Sequence, residues 1–110
     1  MEIFYKTKKL EKTLTNDRAM FKAYGNNAKK IKQRMKQLVE AENLAILNKN
    51  PRLKLHCLQG KRQKEWSINV LKNVVMTFEI VNKPIPTLFN GSHDFAKITK
   101  IILLSVEDYH

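Results

Sequence analysis

At 110 residues the chain has the size of one domain, and 43% hydrophobic with 28% charged residues describes a folded polypeptide rather than a disordered one. The 21 Lys and Arg against 10 Asp and Glu leave a net charge of +11, a field that gathers polyanions: RNA, DNA, an acidic protein segment or an anionic surface. The lone Cys57 excludes an intramolecular disulfide and a cysteine-built metal cluster, and no apolar run approaches the ~18 residues of a membrane span.

The opening MEIFY is apolar and aromatic enough for a first strand, and MEIFYKTKKL lacks the long apolar core of a signal peptide. A cytoplasmic location is therefore expected. Leu10 and Leu14 stand at i and i+4 in TKKLEKTL, the spacing of a short helix. In TNDRAMFKAYG, Asn16 or Asp17 can cap a second helix and Gly25 can stop it. The clearest helix is NNAKKIKQRMKQLVEAEN. Ala28, Ile31, Met35, Leu38 and Val39 form its apolar stripe, and Lys29, Lys30, Lys32, Arg34 and Lys36 cover its other sides. NLAILNKNP reads as a helical fragment ended by Pro51.

Period two follows. RLKLHCLQ alternates Leu53, Leu55 and Cys57 against Lys54, His56 and Leu58, which predicts a strand with a buried, inert thiol. GKRQK is a polar turn. EWSINV alternates Trp66, Ile68 and Val70 against polar residues, LKN turns the chain, and VVMTFEIV is a more continuous strand. NKPIPTLFNGSHDF predicts a loop or ragged hairpin, and AKITKIILLSV the last strand. Helices first and strands afterwards predict one α+β domain over residues 1–110: a small twisted, mainly antiparallel sheet with the N-terminal helices on one face.

His56, His93 and His110 lie far apart without metal-ligand spacing, and Gly25, Gly60 and Gly91 are isolated, so neither a metal nor a bound nucleotide cofactor is expected. What remains is a basic, histidine-bearing surface. Lys54 and His56 share a pleat face, the next turn carries Lys61, Arg62 and Lys64, and the chain closes on Asp108, Tyr109 and His110. If the last strand pairs near KLHCLQ, these groups meet at one end of the sheet. Metal-free RNA cleavage needs such a set. A base takes the proton of a ribose 2′-OH, cations stabilise the charge that develops on the attacked phosphate, and an acid protonates the leaving 5′-oxygen. Histidine suits both proton transfers near neutrality. The plainer reading is a hydrogen-bonded strand histidine beside a solvated basic turn.

The block LHCLQGKRQKEWSINV, the strand NVVMTFEIV and the closing VEDYH resemble the HigB-type killer toxins of the RelE/ParE superfamily. The start YKTKKLEK and the Lys/Arg-rich helix are similar too, and only the segment at about residues 82–97 stands out as a long insert. The resemblance implies a bacterial type II toxin, a ribosome-dependent mRNA endonuclease that acts without a metal or cofactor on the message in the ribosomal A site. It implies a cognate helix-turn-helix antitoxin, which alone brings the pair to operator DNA, and no membrane partner. His56, Arg62, Asp108, Tyr109 and His110 match the family's catalytic positions. Lys54, Lys61, Lys64 and Lys72, with Lys29, Lys32 and Arg34 on the helix, are candidates to hold RNA. Two positions depart from the pattern: Gln59 stands where the family has Lys, and Val75 where it has Arg. Those losses admit a weakened or inactive nuclease that keeps its antitoxin. A gyrase poison of the ParE branch is a further alternative, against which the DYH ending speaks.

Overall fold

Thr7 closes the first strand and opens the first helix. Its backbone is extended and its hydroxyl accepts from Leu10 N at 3.0 Å, satisfying one of the donors a helix start leaves unpaired. In this computed structural model, which describes residues 1–109, that step joins β1 (Glu2–Tyr5) to α1 (Lys8–Thr15). Asn16 caps α2 (Asp17–Tyr24) by accepting from Ala19 N at 2.9 Å, and Gly25, at φ +55°, ends it. A 3-10 turn leads into α3 (Ala28–Glu40), which buries Ile31, Met35 and Leu38. Val39, expected on that stripe, is 54% exposed: it neighbours Leu38 in sequence, and residues one apart on a helix face different ways. Asn43 caps the short α4 (Leu44–Asn48), which buries Leu44 and Leu47.

The strand expected over RLKLHCLQ is cut to β2, His56–Cys57. Proline at 51 favours a 3-10 turn through Leu53, and Lys54 follows in the left-handed region at φ 47°, so extended pairing cannot begin before His56. Cys57 is exposed, not buried, and its Sγ donates to the Gln63 carbonyl at 3.0 Å. After β2 come β3 (Glu65–Leu71), β4 (Val74–Ile80) and β5 (Lys100–Asp108). The five-stranded sheet has the order β1-β5-β4-β3-β2, antiparallel except for the parallel pair β1–β5. The insert forms a loop carrying one bridge, Thr87 to His93, and a 3-10 turn at Phe95–Lys97. Asn82 anchors its root through bonds to Thr99 N and Lys100 N, both at 3.1 Å.

Strand alternation gives the sheet two unlike faces. Ile68, Val70, Met76, Phe78, Ile101 and Leu103 are buried with the helical residues in one apolar cluster. The other face carries Glu65, Ser67, Val75, Thr77, Glu79, Ser105 and Glu107. A register shift at Thr77/Phe78 inserts Leu104 in β5, so that Leu104 and Ser105 both line the second face. Phe78 is fully buried at the centre of the first. Phe78→Ala is expected to cost about 3–5 kcal/mol, read as a lowered midpoint in denaturant unfolding with an unchanged slope.

Candidate active site on the open face of the sheet

The turn after β2 places a guanidinium over this second face. Gly60 takes φ +68°, where a side chain is strained, and starts the 3-10 turn Gly60–Arg62. From that turn Arg62 reaches two carboxylates. Its Nε and Nη2 donate to Glu65 Oε1 at 3.1 and 2.8 Å. Its Nη1 and Nη2 donate to the two oxygens of Glu107, at 3.1 and 2.5 Å, in a bidentate fork. Ser105 Oγ donates to Glu107 at 2.7 Å and is itself 2.5 Å from Thr77 Oγ1, while the Tyr109 hydroxyl donates to Glu107 at 2.8 Å. A polar network therefore runs from the turn to the end of β5, along an open cleft of about 500 Å³ that Lys6 and Glu79 also line.

The charges in this network fix one another. Hydrogen bonds from Arg62 hold the Glu107 carboxyl down at about 2, helped by Ser105 and Tyr109 and opposed by burial. Arg62 is pushed up by the same bonds to Glu107 and Glu65, and the Tyr109 phenol is raised by donating to Glu107. A carboxylate whose folded pKa lies below its ordinary 4.5 contributes stability above that value and loses it as pH falls toward 2. Acidification from about pH 4.5 to 2 is thus expected to weaken the fold, and Glu107→Gln to flatten that part of the curve. Denaturant unfolding at a series of pH values measures both.

The other expected site residues are spread more widely. His56 stands level with Ser67, Thr77 and Ser105, but β3 and β4 separate its strand from β5. Three inter-strand spacings amount to roughly 14 Å, so the last strand does not pair beside KLHCLQ and His56 does not adjoin the end of β5. Its Nδ1 donates to the Lys54 carbonyl at 2.7 Å, which puts a ring proton on Nδ1 and leaves Nε2 as the other ring nitrogen. Tyr109 shares the open face with Glu107, whereas the exposed Asp108, paired with Val74, alternates to the other side. His110 lies outside the described residues. Lys54, Lys61, Lys64 and Lys72 are exposed in turns next to the strands, and of these Lys61 and Lys64 line a smaller concavity together with Arg62. Lys29 and Lys32 belong to the helical layer, where Lys32 pairs with Asp17 at 2.8 Å. Arg34 is not a surface cation of that helix. It is half-buried, gives Nη2 to the Val70 carbonyl at 2.9 Å and bonds Gln37, and burial lowers its pKa.

Sequence reasoning overlooked Glu65, Glu79 and Glu107. Two of the three leave a signal: Glu65 follows Arg62 by three residues, and Glu107 precedes Tyr109 by two, on the same strand face. The departures also acquire a place. Val75 is paired with Glu107 across β4 and β5, so an arginine there would compete with Arg62 for that carboxylate. Gln59 is exposed just before the Gly60 turn. Among the described residues, no group of His, Cys, Asp and Glu is arranged to hold a metal ion.

A family model described as the RelE-like toxin of the type II toxin-antitoxin system HigB matches residues 3–93. The chain belongs to this family. Solved structures of the same fold accompany the match. The conserved hypothetical protein HP0894 from Helicobacter pylori has a TM-score of 0.54 at 14% identity, over 99% of this chain and 94% of its own. The YoeB/ParE toxin from Agrobacterium tumefaciens has a TM-score of 0.55 at 7% identity, over the whole of both chains. A point mutant of YafQ from E. coli has a TM-score of 0.53 at 14% identity, over 97% of this chain and 91% of its own. No curated protein matches the sequence. As a type II toxin the protein has an antitoxin as partner. No helix of this toxin, among the described residues, is long and apolar enough to cross a membrane.

Proposed function

We propose that this toxin is a ribosome-dependent mRNA endonuclease that works on the open face of its sheet without a metal. The observation that carries the reading is the fork of Arg62 on Glu107 within an open cleft. A guanidinium that grips a carboxylate through two parallel bonds has the geometry to grip a phosphodiester in the same way. With the scissile phosphate on Arg62, the 2′-oxygen attacks phosphorus, a 2′,3′-cyclic phosphate forms, and the 5′-oxygen leaves with a proton. His56 offers Nε2 from the β2 flank, and Tyr109 stands on the β5 side with His110 next in sequence. His56, Tyr109 and His110 are the acid and base candidates, and Lys54, Lys61, Lys64 and Lys72 steer the RNA. The toxin acts in the cytoplasm, in the ribosomal A site, and a helix-turn-helix antitoxin holds it inactive and carries it to operator DNA.

A specific observation supports attenuation. Arg62 must exchange two carboxylates for one phosphate, and no second cation stands at 59 or 75 to assist. An inactive member that only binds its antitoxin is the limiting case. Inducible expression separates the readings. The endonuclease arrests growth and cuts translated messages in frame, and deletion of Tyr109 and His110 abolishes both effects. Normal growth with soluble toxin confirmed would sink the proposal. Ribosome binding is further expected to weaken steeply as salt rises, because phosphate contacts release counterions. Sedimentation with ribosomes at graded salt reads that slope, and a flat response would mean that the net charge of +11 plays no part in binding.

A further inference from the structure

Beside the Arg62 cleft lies a second and larger concavity, an open groove of about 900 Å³ between β3 and the loop at 82–97. Its walls are aromatic. The Trp66 ring meets Phe95 edge-on with centroids 5.4 Å apart, and His93 tilts toward it at 5.8 Å. Lys64 and Lys83 also line it, and Ile80 and Ile85 add apolar surface. Trp66 pairs with Phe78 and Ile80 with Ile101, so both belong to the core side of the sheet. The groove meets the open face around the β3 end, where residues of the Gly60–Arg62 turn region are shared. Gln63, Lys64 and Glu79 line it together with the strip that holds Lys61, Arg62 and Glu65, and Glu79 lines the Arg62 cleft as well.

We infer that this groove is a base-binding subsite, which takes a nucleobase of single-stranded RNA flanking the phosphate held at Arg62. The inference rests on the proposed RNA-cleaving function and names the part of the substrate that function leaves unplaced. Three observations converge on it. A ring cluster beside a cationic strip is the combination that single-stranded nucleic acid uses, with bases against the aromatic groups and phosphates against the cations. The charge on the groove's lysines complements the backbone of such a strand. Glu79 lines both concavities, with its side chain on the open-face side of β4, and a carboxylate there is an acceptor for an exocyclic amino group such as that of adenine.

Trp66 is the only tryptophan in the chain, so its fluorescence reports on the groove alone. The experiment titrates the full chain with a short oligoadenylate bearing 2′-O-methyl groups, which cannot be cleaved, and with an abasic oligomer of equal length. The oligoadenylate is expected to quench Trp66 and bind more tightly than the abasic strand. Base stacking contributes roughly 1–3 kcal/mol per base, so His93→Ala is expected to weaken the oligoadenylate about tenfold while leaving the abasic affinity and the melting temperature unchanged. Phe95→Leu serves as a second variant with the same expected pattern. Equal affinity for the two strands, or quenching by an acidic apolar peptide and not by RNA, would overturn the inference. The subsite and the nuclease fail separately. Cleavage with an unresponsive Trp66 removes the base subsite alone, and quenching without cleavage in translated messages removes the nuclease reading alone.

Discussion

Arg62→Ala is expected to lower mRNA cleavage by about a hundred- to a thousand-fold, the usual cost of removing one preorganised donor from a developing charge. The toxin should lose its growth phenotype while keeping its fold. Arg62 lies in a surface turn, and its partners Glu65 and Glu107 keep 23% and 24% side-chain exposure, so water can solvate them once the guanidinium is gone. Arg62→Lys sharpens the test. Lysine keeps the charge and loses the fork, so its rate should fall between the parent and the alanine variant. Antitoxin binding and a retained cooperative unfolding transition are the controls, since losing the Arg62–Glu107 pair itself lowers stability. Parental cleavage by a well-folded Arg62→Ala protein would remove Arg62 from the site.

The second large effect is a gain. Val75 faces Glu107 across β4 and β5, and Gln59 precedes the Gly60 turn. Val75→Arg sets a new guanidinium beside the carboxylate that now occupies Arg62, and Gln59→Lys adds charge next to the turn that carries Arg62. Together they are expected to raise cleavage by about ten- to a hundred-fold. A single stabilising donor is worth on the order of a hundred-fold or more, and groups acting on one phosphate combine less than additively. Glu107→Gln isolates the release of Arg62 from the added charge. It keeps the hydrogen-bonding shape, drops the negative charge and should by itself increase cleavage. Initial rates on translated message measure all of these variants. A fall in rate for Glu107→Gln would make Glu107 a working part of the chemistry rather than a competitor for Arg62.

Much of this arrangement is legible in the residues themselves. Helical spacing in AKKIKQRMKQLVE placed Ile31, Met35 and Leu38 inside, and the alternation of EWSINV and the apolar run of VVMTFEIV gave the two central strands. The turn at LKN and the caps at Asn16 and Gly25 followed from local chemistry. What stayed hidden depends on contacts between distant residues. Strand order is one case: nothing local in KIILLSVED says that it runs between β1 and β4 and away from His56. Alternation, applied as far as Asp108, would have split Asp108 from Tyr109, but the extra residue at Leu104 sets the phase of the strand and is invisible in a pattern of period two. The pairing of Arg62 with Glu107, 45 residues apart, arises only when the sheet closes. Charge counting hid it too, because an excess of lysine and arginine says nothing about which cation is already taken.

The central claim is that a ribose 2′-oxygen attacks the phosphate held on this face. The end groups left by the purified toxin on mRNA in translating ribosomes test it most directly. In-frame cuts bearing a 5′-hydroxyl on one fragment and a 2′,3′-cyclic phosphate on the other are the predicted result. Cuts that leave 5′-phosphates, the product of attack by water, or intact message under those conditions would contradict it.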